Sequence, residues 1–175
     1  VTTLLYTSPL TYFKKFVWSS PIFGALFYSV IPFVAAFLVK DNFAFPTIIF
    51  IFFAFLYAII ASSKDFEDID GEKRHGIHSI PIIFGIETTA AALLVCEFLL
   101  LILMLFLAAT HIIEFKFVAA SVVSLVIFFP TAHLFWKAIK NLEKTKIVTH
   151  SDSVTYCVFF VILVQLIFGI TALAQ

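Results

Sequence analysis

Residues 62–80 read SSKDFEDIDGEKRHGIHSI and crowd five carboxylates together: Asp65, Glu67, Asp68, Asp70 and Glu72. If this run continues a preceding helix at about 100° per residue, Asp65, Asp68 and Glu72 fall on one face. Glu67 and Asp70 then point the other way. Three like charges on one face repel each other and weaken an isolated helix. A divalent cation between them removes that penalty. Mg²⁺ takes hard oxygen ligands and commonly binds through one or two carboxylates together with a substrate's phosphates. Lys64, Lys73 and Arg74 flank the run and supply donors for phosphate oxygens. Gly71 and Gly76 let the chain break and turn. A solvated, mixed-charge loop is the other reading of the same residues, and composition alone does not decide between the two.

The elements that carry this segment are apolar enough to be membrane spans. The chain is 62% hydrophobic and 13% charged, with a mean hydropathy of +1.11, whereas soluble domains run near 45–50% apolar and about 25% charged. A helix crossing the hydrocarbon core needs roughly 20 predominantly apolar residues. Five stretches qualify, at about 21–39, 43–63, 88–110, 117–136 and 153–174. None alternates as a transmembrane strand does. The expected fold is therefore an all-α integral membrane bundle of five helices, with an acidic connection at 62–87.

Charge placement orients such a bundle. Lys14, Lys15, Lys64, Lys73, Arg74, Lys137, Lys140, Lys144 and Lys146 collect on one side, and only Lys40 and Lys116 on the other. Lys/Arg enrichment in short connections marks the cytoplasmic face, or the matrix or stromal face in an organelle. The acidic connection belongs to that side. With a net charge of zero, nothing points to nucleic acid.

A few residues stand out inside the spans. Glu97 is a mid-span carboxyl, which costs about 2.5–3.5 kcal/mol on insertion scales and marks a functional position by default. His111 reads as interfacial, and His133, just after the helix-bending Pro130, as a packing residue. Gln165 suits a bond between helices. Cys96 and Cys157 fall within spans and read as buried, inert thiols.

The run from Asp65 to Pro81, closing with Phe84-Gly85, resembles the second aspartate-rich motif of the UbiA superfamily of membrane-embedded prenyltransferases. That pattern is roughly D-x-x-D-x-x-G-D-x-x-x-G-x-x-[ST]-x-P followed by a Gly. Asp65, Asp68, Gly71, Gly76, Ser79, Pro81 and Gly85 fall in register. Glu72 stands where the family usually has Asp, and keeps a carboxylate on an arm one methylene longer. Upstream, Tyr6-Thr7-Ser8-Pro9 through Lys14 resembles the family's Y-S-x-P-x-x-x-x-K segment, which in the family lies near the diphosphate and the reacting carbon. A Tyr/Lys segment, two spans, an acidic connection and three spans reproduce the second half of the family's nine-helix bundle, so the resemblance covers residues 1–175 as a partial domain.

The resemblance implies transfer of an isoprenyl group from an allylic prenyl diphosphate to an aromatic or lipid acceptor. Mg²⁺ would be held by Asp65, Asp68 and Glu72, the diphosphate by Lys64, Lys73 and Arg74, and catalytic contacts would come from Tyr6 and Lys14. The family's first motif, N/D-x-x-x-D-x-x-x-D, has no match in these 175 residues. With Val1 in place of an initiating Met, the expectation is a fragment of a longer enzyme, inactive by itself. A multi-span transporter or channel is the alternative, although such proteins favour polar residues at mid-membrane over an acidic rim. A CDP-alcohol phosphotransferase is set aside, because Asp70-Gly71-Glu72-Lys73-Arg74 does not meet its D-G-x-x-A-R motif.

Overall fold

The structure is a computed structural model that describes residues 17, 21, 22, 25, 26, 29, 30, 34, 38, 44–66, 69–145 and 152–173. Those described between 21 and 38 are helical. The continuous elements are α1 (Ala44–Lys64), α2 (Ile69–Arg74), α3 (Ile80–Phe84), α4 (Ile86–Ala109), α5 (Phe117–Thr145) and α6 (Asp152–Leu173), with no strand among the described residues.

The local chemistry explains where these helices start and stop. Pro46 lies in the first turn of α1, where its missing N–H has no intrahelical role. The end of α1 tightens into i→i−3 bonds, Asp65 N–H to Ser62 O and Phe66 N–H to Ser63 O, both 3.3 Å. Inside α5, the buried Ser121 and Ser124 hydroxyls donate back to Phe117 O and Ala120 O at 2.8 Å. Those bonds satisfy groups that have no water to turn to. At the end of α4, His111 takes a left-handed φ of 59° and stacks on Phe115. It is exposed, in keeping with an interfacial place.

Helix α4 packs on α5, α5 on α6, and α1 on both α4 and α6. Leu56, Leu101, Ala108 and Val164 are fully enclosed where the four meet. Phe168 meets Phe52, Phe53 and Phe117 with ring centroids 5.4, 6.4 and 5.7 Å away. Gln165 of α6 donates to the Tyr57 hydroxyl of α1, the interhelical bond its sequence position suggested. The outward faces are as apolar as the inward ones: Val126 is 66% exposed and Ile170 68%. A helix that is apolar all round suits a lipid surround.

Two helices meet the length and apolarity of a membrane crossing, Ile86–Ala109 and Phe117–Asn141. Thr47–Ser63 and Phe159–Ala172 are shorter apolar stretches. The helix that carries the expected span at 117–136 extends beyond it. The helix runs on to Thr145 and carries Lys137, Lys140 and Lys144 as its last turns. The connection expected at 62–87 is largely helical, since α2 and α3 lie within it. Cys96 is exposed on α4 rather than buried, because its position faces away from the stripe of Leu101, Met104 and Ala108.

Cross-contacts fix which connections share an end. Lys140 pairs with Glu87 in the first turn of α4 and lies 5.5 Å from the Trp136 ring. At the opposite end, Lys116 donates to Ala172 O at 3.4 Å, joining the α4–α5 turn to the end of α6. The acidic segment thus shares one end of the bundle with the lysine-bearing end of α5.

Candidate functional site

The acidic segment is built in three steps. Helix α1 stops at Lys64, so the single helix running through Glu72, on which the face argument rested, does not form. The chain resumes as α2, whose C-terminus closes in a Schellman arrangement. Ile77 N–H bonds to Glu72 O at 2.9 Å and Gly76 N–H to Lys73 O at 3.3 Å. Gly76 takes a φ of +64° there, a conformation that side-chain-bearing residues disfavour. Helix α3 then starts behind Ser79, with Pro81 in its first turn. Gly85, at φ +88°, turns the chain into α4.

Three of the five carboxylates, Asp65, Asp70 and Glu72, are among the described residues, and their burial differs. Asp65 is 6% exposed and Glu72 3%, while Asp70 is exposed. The segment is pinned from below by Phe66 and Ile69, which join Ala90, Phe135 and Ile139 in an apolar cluster. Phe66 and Phe135 meet edge to face with centroids 6.1 Å apart. A fixed aromatic residue beside Asp65 and an apolar one at the start of α2 hold both buried carboxylates at the rim of the bundle.

Of the cationic candidates, Lys73 and Arg74 are exposed, and Arg74 Nε donates to Asp70 O at 3.1 Å. Tyr6, Lys14 and Asp68 lie outside the described residues, as does the side chain of Lys64. Among the described residues, no group of three His, Cys, Asp or Glu is placed to hold a metal ion. The two described candidates, Asp65 and Glu72, are nonetheless hard oxygen donors kept from bulk water, which is the donor chemistry Mg²⁺ selects. By donor type alone these two carboxylates suit the ion.

Two hydroxyls were given no role by the sequence reading. Ser79 Oγ and Thr89 Oγ1 are buried, with no hydrogen-bond partner among the described residues. Ser79 carried a signal through its place in the motif. Thr89 carried none, because a threonine beside Thr88 at the start of an apolar run is unremarkable. Glu97 is 4% exposed on the inward face of α4, whereas His133 is exposed on α5 and does not pack as expected.

Comparison with protein-family models gives a match to the UbiA prenyltransferase family over residues 1–152. No curated protein and no solved structure matches.

Proposed function

The chain belongs to the UbiA prenyltransferase family, and on that premise we propose that it moves an isoprenyl group from an allylic prenyl diphosphate to an aromatic or lipid acceptor within the membrane. The observation that supports this reading is the enclosure of Asp65 and Glu72 at the rim while Asp70 stays in solvent. Solvated loops do not bury two carboxylates selectively, since each loses hydration.

In this reading Asp65, Asp68 and Glu72 would hold Mg²⁺, which would supply positive charge to neutralise the diphosphate. Lys64, Lys73 and Arg74 donate to the diphosphate oxygens and stabilise the negative charge that grows as the prenyl C–O bond breaks. Tyr6 and Lys14 stand near the reacting carbon. Phe66 and Phe135 form an apolar floor beneath the acidic segment and keep water from the allylic cation. The acceptor then bonds to that carbon and gives up a proton.

Residues 1–175 correspond to the C-terminal part of a nine-helix bundle, with five spans and the acidic segment on the cytoplasmic, matrix or stromal side. Family membership weighs against the transporter or channel alternative. The test uses membranes containing the intact enzyme, labelled prenyl diphosphates of several lengths and a lipid extract as acceptor. Labelled lipid product that requires Mg²⁺ is the expected result. No product with any donor would overturn the assignment.

A further inference from the structure

The outward face of α5 changes character along its length. Val122, Val126, His133 and Lys137 are all exposed. At about 100° per residue these four fall within about 60° of one another, and the exposed Phe129 and Pro130 flank them. The stripe is apolar up to Phe129 and polar from His133 on.

Heights along α5 follow from the contacts at its far end. Lys116 reaches Glu114 Oε2 at 3.2 Å and Ala172 O at 3.4 Å, a charged and polar cluster that marks that edge. From Phe117 to Lys137 is about 30 Å of helix, the thickness of the hydrocarbon core. Lys137 therefore stands at the near edge. Trp136, half-buried beside it, is a residue type enriched at that boundary. His133 lies one turn further in, about 6 Å inside the hydrocarbon, on the face turned to lipid.

Neither His133 nor Lys137 makes a hydrogen bond or ion pair among the described residues. Lys140, by contrast, leans toward α4 and pairs with Glu87. A polar ring facing hydrocarbon is costly when nothing satisfies it. The imidazole has an N–H to donate in either protonation state, and Lys137 sets an unpaired positive charge one turn above it. A phosphate group answers both. A zwitterionic headgroup would bring its own cation to an end of the bundle that already exposes Lys73 and Arg74, whereas one of net negative charge brings no such repulsion. Below the phosphate, Val122 to His133 is about 16 Å, roughly half the hydrocarbon core and the reach of one acyl chain in its leaflet.

We propose that this face of α5 binds an anionic glycerophospholipid. His133 and Lys137 donate to its phosphate oxygens, and one acyl chain lies along Val126 and Val122. The lipid is a bound partner that takes no part in prenyl transfer.

The test uses Trp136 as a local reporter in the intact protein, with every other tryptophan, Trp18 included, replaced by phenylalanine. The protein is reconstituted in vesicles of phosphatidylcholine and phosphatidylglycerol, and one lipid or the other carries brominated acyl chains that quench nearby fluorescence. Quenching per lipid should favour phosphatidylglycerol by about fivefold, the effect of one unpaired basic side chain at headgroup level. Lys137→Arg should keep the preference, and Lys137→Gln should bring it below about twofold. His133→Leu leaves the charge in place and should still lower the preference by about half, because the phosphate loses the donor that holds it beside Lys137. Equal quenching by the two lipids, or an unchanged preference in Lys137→Gln, overturns the proposal. A preference that falls in Lys137→Gln but not in His133→Leu reflects diffuse surface attraction and overturns the site. Quenching by neither lipid overturns it as well, and a disulfide between two copies of the Val126→Cys variant would then identify a second chain as the occupant.

Discussion

Replacing Phe135 with Ala should release the acidic segment from the bundle without unfolding it. Phe135 is 2% exposed and Phe66 1%, and the two rings meet edge to face. Removing a buried Phe side chain typically costs about 3–5 kcal/mol, of which an aromatic pair supplies about 0.5–1.5 kcal/mol. The low end is appropriate, because only one ring is lost and Ile69, Ala90 and Ile139 remain to hold Phe66. At about 3 kcal/mol the ratio of docked to undocked segment falls by about 150-fold. Hydrogen exchange followed by mass spectrometry in nanodiscs reads that ratio directly as protection of residues 65–78. Val126→Ala, on the same helix but 66% exposed, is the control and should leave protection unchanged. Equal protection of 65–78 in wild type and Phe135→Ala would show that the cluster does not hold the segment.

Other substitutions separate the proposed roles. Asp65→Asn or Glu72→Gln in the intact enzyme should lower turnover by about a hundredfold or more, the scale of losing a preorganised electrostatic contact. Asp70→Asn, at an exposed site, should change it by less than about threefold. Glu72→Asp should be tolerated, and comparable losses at Asp65 and Asp70 would break the division by burial. Gln165→Leu removes the bond to Tyr57 and should lower thermal stability in detergent by the equivalent of about 0.6 kcal/mol, a typical value between membrane helices. A drop of several kcal/mol would mean that the pair organises more than one contact.

What the sequence conveyed, and what it did not, follows from the range of each interaction. The apolar runs at 88–110 and 117–136 announced helices because length and hydropathy are local properties, and α4 and α5 follow. The length of α5 beyond 136 was not announced, because Lys137, Lys140 and Lys144 resemble a loop by charge, although lysine favours helices and Lys140 has Glu87 and Trp136 beside it. Asp65 and Glu72 were paired by a helix that does not run between them. They share burial because Phe66 and Ile69 pull the broken segment onto Phe135 and Ile139, a contact that needs the fold. Gly76 was readable, since a glycine followed by an apolar residue at a helix end is a common stop.

The central claim is that the enclosed carboxylates hold a divalent cation together with a diphosphate. Mn²⁺ in place of Mg²⁺ makes this visible by electron paramagnetic resonance in the intact enzyme, titrated with and without a non-hydrolysable prenyl diphosphate analogue. The account predicts saturable Mn²⁺ binding that tightens with the analogue, is lost in Asp65→Asn and Glu72→Gln, and survives in Asp70→Asn. Binding that is absent, indifferent to the analogue, or equally weakened by Asp70→Asn would contradict it.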